Sequence, residues 1–87
     1  MYAVVYTKNA VKDTQKMKVT QLSKKVKDLI ELMKQNPFQT PPPYEKLVGD
    51  LQGACSRRIN IKHRLVYEVL ETEKTIKILS MWSHYDF

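Results

Sequence analysis

All four prolines of this 87-residue chain fall between Pro37 and Pro43, and they divide it into halves that obey different periodicities. Proline fixes its own φ and has no N–H to donate, so residues 36–44 read as a stiff, extended connection, neither helix nor central strand. Ahead of that stretch, Leu22, Val26, Leu29, Ile30 and Met33 recur at the period of one buried helix face. Behind it the period becomes that of a strand. Leu65, Tyr67 and Val69 point to one side and Arg64, Val66 and Glu68 to the other, which predicts a strand with one face built to be buried.

The remaining elements follow from local signals. Residues 2–6, Tyr-Ala-Val-Val-Tyr, are strand formers, and Thr7 or Asn9 can cap a helix reaching about Met17. That helix carries a thin apolar stripe, Ala10, Val11 and Met17, and turns Lys8, Lys12, Asp13, Gln15, Lys16 and Lys18 toward solvent or a partner. Thr20 or Ser23 can cap the second helix, and Asn36-Pro37 stops it. The stiff loop presents Tyr44 and Glu45 at a defined place with little entropy to lose. Leu47, Val48 and Leu51 tack residues 46–52 onto the core, and Gly53 permits the turn into the next strand. Strands are predicted over residues 55–61, 64–70 and 75–82, with Glu71-Thr72-Glu73-Lys74 as a polar turn. The order is β-α-α-β-β-β, an α+β fold with a helical hairpin packed on an antiparallel sheet that the first strand joins after the hairpin crosses one face. Residues 1–87 are read as one domain, since roughly this length supports a single core. The turn at residues 60–63 leaves one matter open: a two-residue loop puts Arg58 and Arg64 on opposite sheet faces, a three-residue loop on the same face.

Composition narrows the function classes. No window approaches a membrane span, and nothing at the start reads as a signal peptide, so a cytoplasmic location is expected. The single cysteine, Cys55, cannot form an internal disulfide and reads as a small buried residue. With only His63 and His84 available there is no convincing metal-ligand set, and no metal or cofactor is expected. Fifteen Lys and Arg against nine Asp and Glu give a formal net charge of +6, a field that draws in polyanions such as nucleic acid or an acidic protein.

A site is suggested by Arg57, Arg58 and Arg64. Guanidiniums held on a sheet can aim their planar forks at a fixed phosphate, and the plainer alternative is that they are solvated sheet-face residues. Together with Glu45 and His84, these arginines supply a carboxylate, a guanidinium and an imidazole. That set can cleave RNA without a metal: one group takes the 2′-hydroxyl proton, one stabilises charge on phosphorus and one protonates the departing 5′-oxygen. His63, at a turn, reads as structural or exposed, and Tyr67 and Trp82 as core or rim aromatics. The lysines at 12, 16, 18, 24, 25 and 27 form either a solvated helical face or a contact surface for RNA phosphates.

The runs Glu45-Lys46-Leu47, Leu51-Gln52-Gly53, Ser56-Arg57-Arg58-Ile59, His63-Arg64-Leu65-Val66-Tyr67 and His84-Tyr85, with the helix stop Asn36-Pro37-Phe38, resemble the YoeB/Txe family of toxins in the RelE/ParE superfamily. The resemblance covers about residues 20–85 in order and spacing. It implies a RelE-like fold and a toxin of a type II toxin-antitoxin system, acting as a ribosome-dependent endoribonuclease that cuts messenger RNA in the A site. Carried onto this chain, it makes Glu45 the general base, His84 the general acid and Arg64 the phosphate clamp, with Arg58 and Tyr85 as RNA contacts. It implies as partners an acidic YefM/Axe-type antitoxin, the 70S ribosome with its mRNA, and operator DNA reached through the toxin-antitoxin complex, and it allows a homodimer. The chain departs from the family pattern at Val48, where relatives often carry lysine, at Ala54-Cys55, where they often carry aromatics, and at Asp86-Phe87, which run past His-Tyr. Asp86, as a nearby opposite charge, would raise the pKa of His84. Two other functions remain: a ParE-like poison of DNA gyrase, which leaves Glu45, Arg64 and His84 without a task, and an inactive antitoxin-binding module in which the last two residues block His84.

Overall fold

The computed structural model describes residues 1–47 and 53–81. Its elements are strand β1 (Ala3–Tyr6), helices α1 (Lys8–Val19) and α2 (Ser23–Gln35), and strands β2 (Tyr44–Lys46), β3 (Ala54–Arg58), β4 (Arg64–Leu70) and β5 (Thr75–Ser80). The α+β order is as expected, with one addition and one correction. Residues 44–46, read as part of the loop and its sequel, form a short strand, and the sheet among the described residues is mixed, in the order β1-β5-β4-β3-β2. Strands β2 to β5 pair antiparallel, whereas β1 lies parallel to β5, with Ala3 opposite Thr75. The helical hairpin leaves β2 running opposite to β1, and the three reversals from β2 to β5 bring β5 back to the direction of β1, so the first strand joins the far edge of the meander in parallel.

Local chemistry accounts for the helix ends. Of the two predicted caps for α1, Thr7 is used: its hydroxyl oxygen accepts the Ala10 N–H at 3.1 Å and donates to the Leu79 carbonyl at 2.9 Å. The expected caps for α2 are not used. Thr20 instead closes α1, its hydroxyl donating to the Lys16 and Met17 carbonyls, and α2 starts after Leu22 without a side-chain cap. Only residues 20–22 separate the helices, so Thr20 cannot serve both ends, and Gln21 turns the chain with a φ of 62°. Asn36 ends α2 in an extended conformation ahead of Pro37, as predicted.

The predicted α2 stripe, Val26, Leu29, Ile30 and Met33, is buried against the sheet together with Ala10 and Met17 of α1. On the sheet side this core takes Cys55, Leu65, Tyr67, Ile76 and Ile78, with Met81 beyond the end of β5. Val66, expected on the open face, is also fully buried, because the opposite side of the sheet carries a second, smaller apolar patch of Leu47, Ala54 and Val66 with Leu79 against it. Leu79 comes from a bulge: Tyr67 pairs with Ile78 but Val66 pairs with Ser80, so one extra residue enters β5 at that point. The last strand ends at Ser80 and β3 at Arg58, earlier than predicted; Val48, Leu51 and Trp82 lie outside the described residues. Gly53 enters β3 with a φ of 95°, the left-handed region anticipated for that turn.

Candidate active site

Register decides which side chains share a face. Glu45 stands opposite Ser56, Ser56 opposite Val66, and Arg58 directly opposite Arg64. Partners in register project to the same side of a sheet, and residues two apart on a strand do likewise. Glu45, Ser56, Arg58 and Arg64 therefore lie together on the side away from the main core. The open question about residues 60–63 is answered by a longer loop than either alternative: residues 59–63 bridge the strands, the Ile59 N–H bonds the His63 carbonyl at 2.9 Å, and the Asn60 side chain accepts the Lys62 and His63 N–H groups. Arg58 and Arg64 thus share a face.

Arg64 is the centre of the arrangement. Its side chain is about a quarter exposed, and Nη1 donates to Ser56 Oγ at 3.3 Å and lies 3.7 Å from Glu45 Oε2. The Glu45 carboxylate is 64% exposed, so it meets both the guanidinium and anything arriving from solvent. Arg58 is exposed at the end of β3. These groups open onto a cleft of about 630 Å³ lined also by Lys25, Asp28 and Leu29 of α2 and by Pro42 and Pro43. Three cations and two carboxylates face it, a balance suited to an anion that must be gripped while a carboxylate stays close by.

Arg57 does not belong to this group. Strand alternation sends it to the helix side, where it is fully buried. Its Nε donates to the Tyr67 hydroxyl at 3.2 Å, Nη1 to the Pro42 carbonyl at 2.6 Å and Nη2 to the Pro37 carbonyl at 2.9 Å, and its guanidinium lies 5.1 Å from the centre of the Tyr44 ring. It is an anchor for the proline loop, not a solvated residue or an anion fork. Burial pushes the Tyr67 phenol up to about 12, against the opposing pull of the Arg57 guanidinium. Burial likewise pushes the Cys55 thiol up, in keeping with its expected role as a small buried residue.

Of the residues singled out in the sequence, Glu45, Arg58 and Arg64 are brought together; His84 and Tyr85 lie outside the described residues. Sequence reasoning passes over Ser56 as a partner of Arg64 and the contribution of α2 to the cleft. The first is readable from the two-residue period of β3, since Ser56 and Arg58 must share a face; Lys25 and Asp28 carry no such signal. Among the described residues no three His, Cys, Asp or Glu side chains gather as a metal would require, and no helix is long and apolar enough to cross a membrane.

A helical hairpin on a mixed five-stranded sheet is the RelE-like fold of small bacterial toxins. Residues 6–85 match the model of the YoeB-like toxins of bacterial type II toxin-antitoxin systems, and the chain belongs to that family. Toxin YoeB of Synechocystis sp. is 38% identical over 64 residues, covering 74% of this chain and 72% of the relative. Among solved structures, a YoeB/ParE toxin from Agrobacterium tumefaciens superposes with a TM-score of 0.87 at 30% identity, covering 95% of this chain and 99% of that one. YoeB of Staphylococcus aureus, solved in complex with YefM, gives a TM-score of 0.81 at 32% identity over 98% of this chain and 99% of that chain. The S. aureus YoeB dimer gives 0.82 at 32% identity over 97% and 98%.

Proposed function

We propose that this toxin is a ribosome-dependent endoribonuclease, one domain over residues 1–87, that cuts messenger RNA in the A site of the 70S ribosome. The observation that carries the reading is the Glu45 carboxylate standing 3.7 Å from the Arg64 guanidinium on one sheet face, beside an open cationic cleft. A phosphodiester entering that cleft presents its charge to Arg64 and Arg58. Glu45 takes the proton of the 2′-hydroxyl, the 2′-oxygen forms a bond to phosphorus, and the bond from phosphorus to the 5′-oxygen breaks. Arg64, already oriented by Ser56, stabilises the extra negative charge of the pentacoordinate state. His84 gives its proton to the leaving 5′-oxygen, and Tyr85 positions the RNA. Each proton-transfer group contributes roughly 10²- to 10⁴-fold in rate.

The partners follow from charge and kinship. An acidic, partly disordered antitoxin of YefM/Axe type covers the basic surface, in line with the YoeB-YefM complex of the S. aureus relative. The toxin-antitoxin complex contacts operator DNA, and a homodimer is the free form, in line with the S. aureus YoeB dimer. Action on the translating ribosome places the protein in the cytoplasm.

The test is primer-extension mapping of a defined message in a bacterial translation extract, with wild type, Glu45→Gln and His84→Gln, and with the same RNA lacking ribosomes. The reading requires cuts only with ribosomes and a loss of at least about 10²-fold in each variant. Intact message with inhibited DNA gyrase replaces it by the ParE-like function, and activity appearing only after Asp86 and Phe87 are trimmed replaces it by the blocked module.

A further inference from the structure

Two arginines stand next to each other in β3, yet only Arg58 reaches the cleft. Its neighbour Arg57 is wholly buried with no carboxylate paired to it among the described salt bridges. Burying a guanidinium costs free energy unless its donors are fully engaged. Those of Arg57 are engaged by a particular set: the carbonyls of Pro37 and Pro42, which stand at the two ends of the proline loop, and the hydroxyl of Tyr67. The Tyr67 hydroxyl in turn lies 3.4 Å from the Pro37 carbonyl, and the Tyr44 ring covers the guanidinium.

The position of this anchor matters because the proline loop leads directly into β2. That strand has three residues and is an outer strand of the described sheet, with only β3 to hold it. Tyr44 pairs with Arg57, so the ring of Tyr44 lies on the anchor's side of the sheet, and Glu45, the next residue, projects to the cleft side. Arg57 thereby grips the proline loop at Pro42, ahead of Pro43 and Tyr44, and the residue beside Glu45 through the Tyr44 ring. Both contacts are made by a side chain that is itself fully buried on the helix side of the sheet. We propose that Arg57 is a positioning residue: by tying both ends of the proline loop to the core it sets where the Glu45 carboxylate stands relative to Arg64. The inference rests on the reading of Glu45 as the base.

The experiment is a double-mutant cycle on ribosome-dependent cleavage, using Arg57→Lys, Glu45→Gln and the combination, with kcat and KM determined separately. Lysine keeps the charge but cannot reach three acceptors in a planar fork. A displacement of about 1 Å at a reacting group lowers the rate on the order of 10²-fold. Arg57→Lys is therefore expected to lower kcat by about that factor with little change in KM, and to lower it no further when Glu45 is already glutamine. A purely structural Arg57 reduces the active fraction in both backgrounds, so the losses multiply; that result overturns the proposal, as does wild-type kcat in Arg57→Lys. A Glu45→Gln variant as active as wild type refutes the base reading itself, a separate outcome. If Arg57→Lys does not fold, Tyr67→Phe in the same cycle decides, because it removes the hydroxyl joining Nε to the Pro37 carbonyl and leaves the guanidinium in place. A fall in kcat confined to the Glu45 background supports the anchor, and multiplying or absent losses refute it.

Discussion

Replacing Asp13 by alanine is expected to be among the more damaging single changes in the helical half of this toxin. Asp13 lies on the helix whose polar residues the sequence pattern turns toward solvent or a partner, yet it is only 4% exposed. Its Oδ2 accepts the backbone N–H of Met81 at 3.0 Å, joining α1 to the chain just past the end of β5. Met81 is itself fully buried, so removing the carboxylate leaves its N–H with no water to turn to. A hydrogen bond to a charged group contributes about 1.5–3 kcal/mol, and a buried donor left unpaired costs an amount of that order. The Lys16 ammonium, 4.0 Å from Oδ1 and half exposed, adds little because solvent screens it. The expected loss for Asp13→Ala is about 2–3 kcal/mol. In a domain of this size each kcal/mol moves the midpoint by roughly 4–8 °C, so Tm should fall on the order of 10–20 °C. Asp13→Asn keeps an acceptor oxygen and should lose less than half as much. Urea unfolding followed by far-UV circular dichroism gives both values. An alanine variant within about 0.5 kcal/mol of wild type would show that the bond contributes nothing. Equal losses in the two variants would assign the effect to charge and not to the accepted N–H.

Alkaline stability should carry the signature of Tyr67. Its phenol is raised in the folded state from 10.0 to about 12, so the unfolded chain releases that proton first. The contribution is complete below about pH 10 and is lost as pH rises toward 12, by roughly 2–3 kcal/mol in total. Tyr67→Phe should flatten that part of the curve relative to wild type, and an unchanged slope in urea titrations between about pH 10 and 12 would contradict the assignment. At the start of α1, Thr7→Ala removes both the cap on Ala10 and the bond to the Leu79 carbonyl. It should cost about 1–2 kcal/mol, with Thr7→Ser close to wild type by thermal melting.

Much of the architecture can be read from periodicity alone. The α2 stripe, the bounds of β4 and the polar turn at residues 71–74 emerge from spacing because each buries one continuous face or follows a simple hairpin rule. The features that escape do so for physical reasons. β2 is three residues long and comes after three prolines, too short for alternation to register, and its pairing is imposed by β3. Asp13 reads as a solvent residue because nothing local distinguishes it from the lysines around it; its partner lies 68 positions away. In the candidate site, Glu45, Arg58 and Arg64 are legible because chemistry and family resemblance both single them out. The separate fates of Arg57 and Arg58 require the sheet register, since adjacent strand residues serve opposite faces. Val66 escapes for a related reason: an apolar residue among polar neighbours signals a second buried patch whose other members, Leu47 and Ala54, come from distant strands and loops.

The parallel pairing of β1 with β5 has a consequence for how the toxin comes into being. Ala3 to Tyr6 are made well ahead of Thr75 to Ile78, so β1 stays without its partner until almost all the described chain has been made. Contacts between such distant positions close late, after the loop entropy of everything between them has been met. A chain cut short ahead of Thr75 lacks the seat for β1, the Leu79 carbonyl to which Thr7 donates and the Met81 N–H that Asp13 accepts. Among the described residues the order of synthesis and the order of the sheet thus oppose each other, and β1 can settle only once β5 is present to receive it.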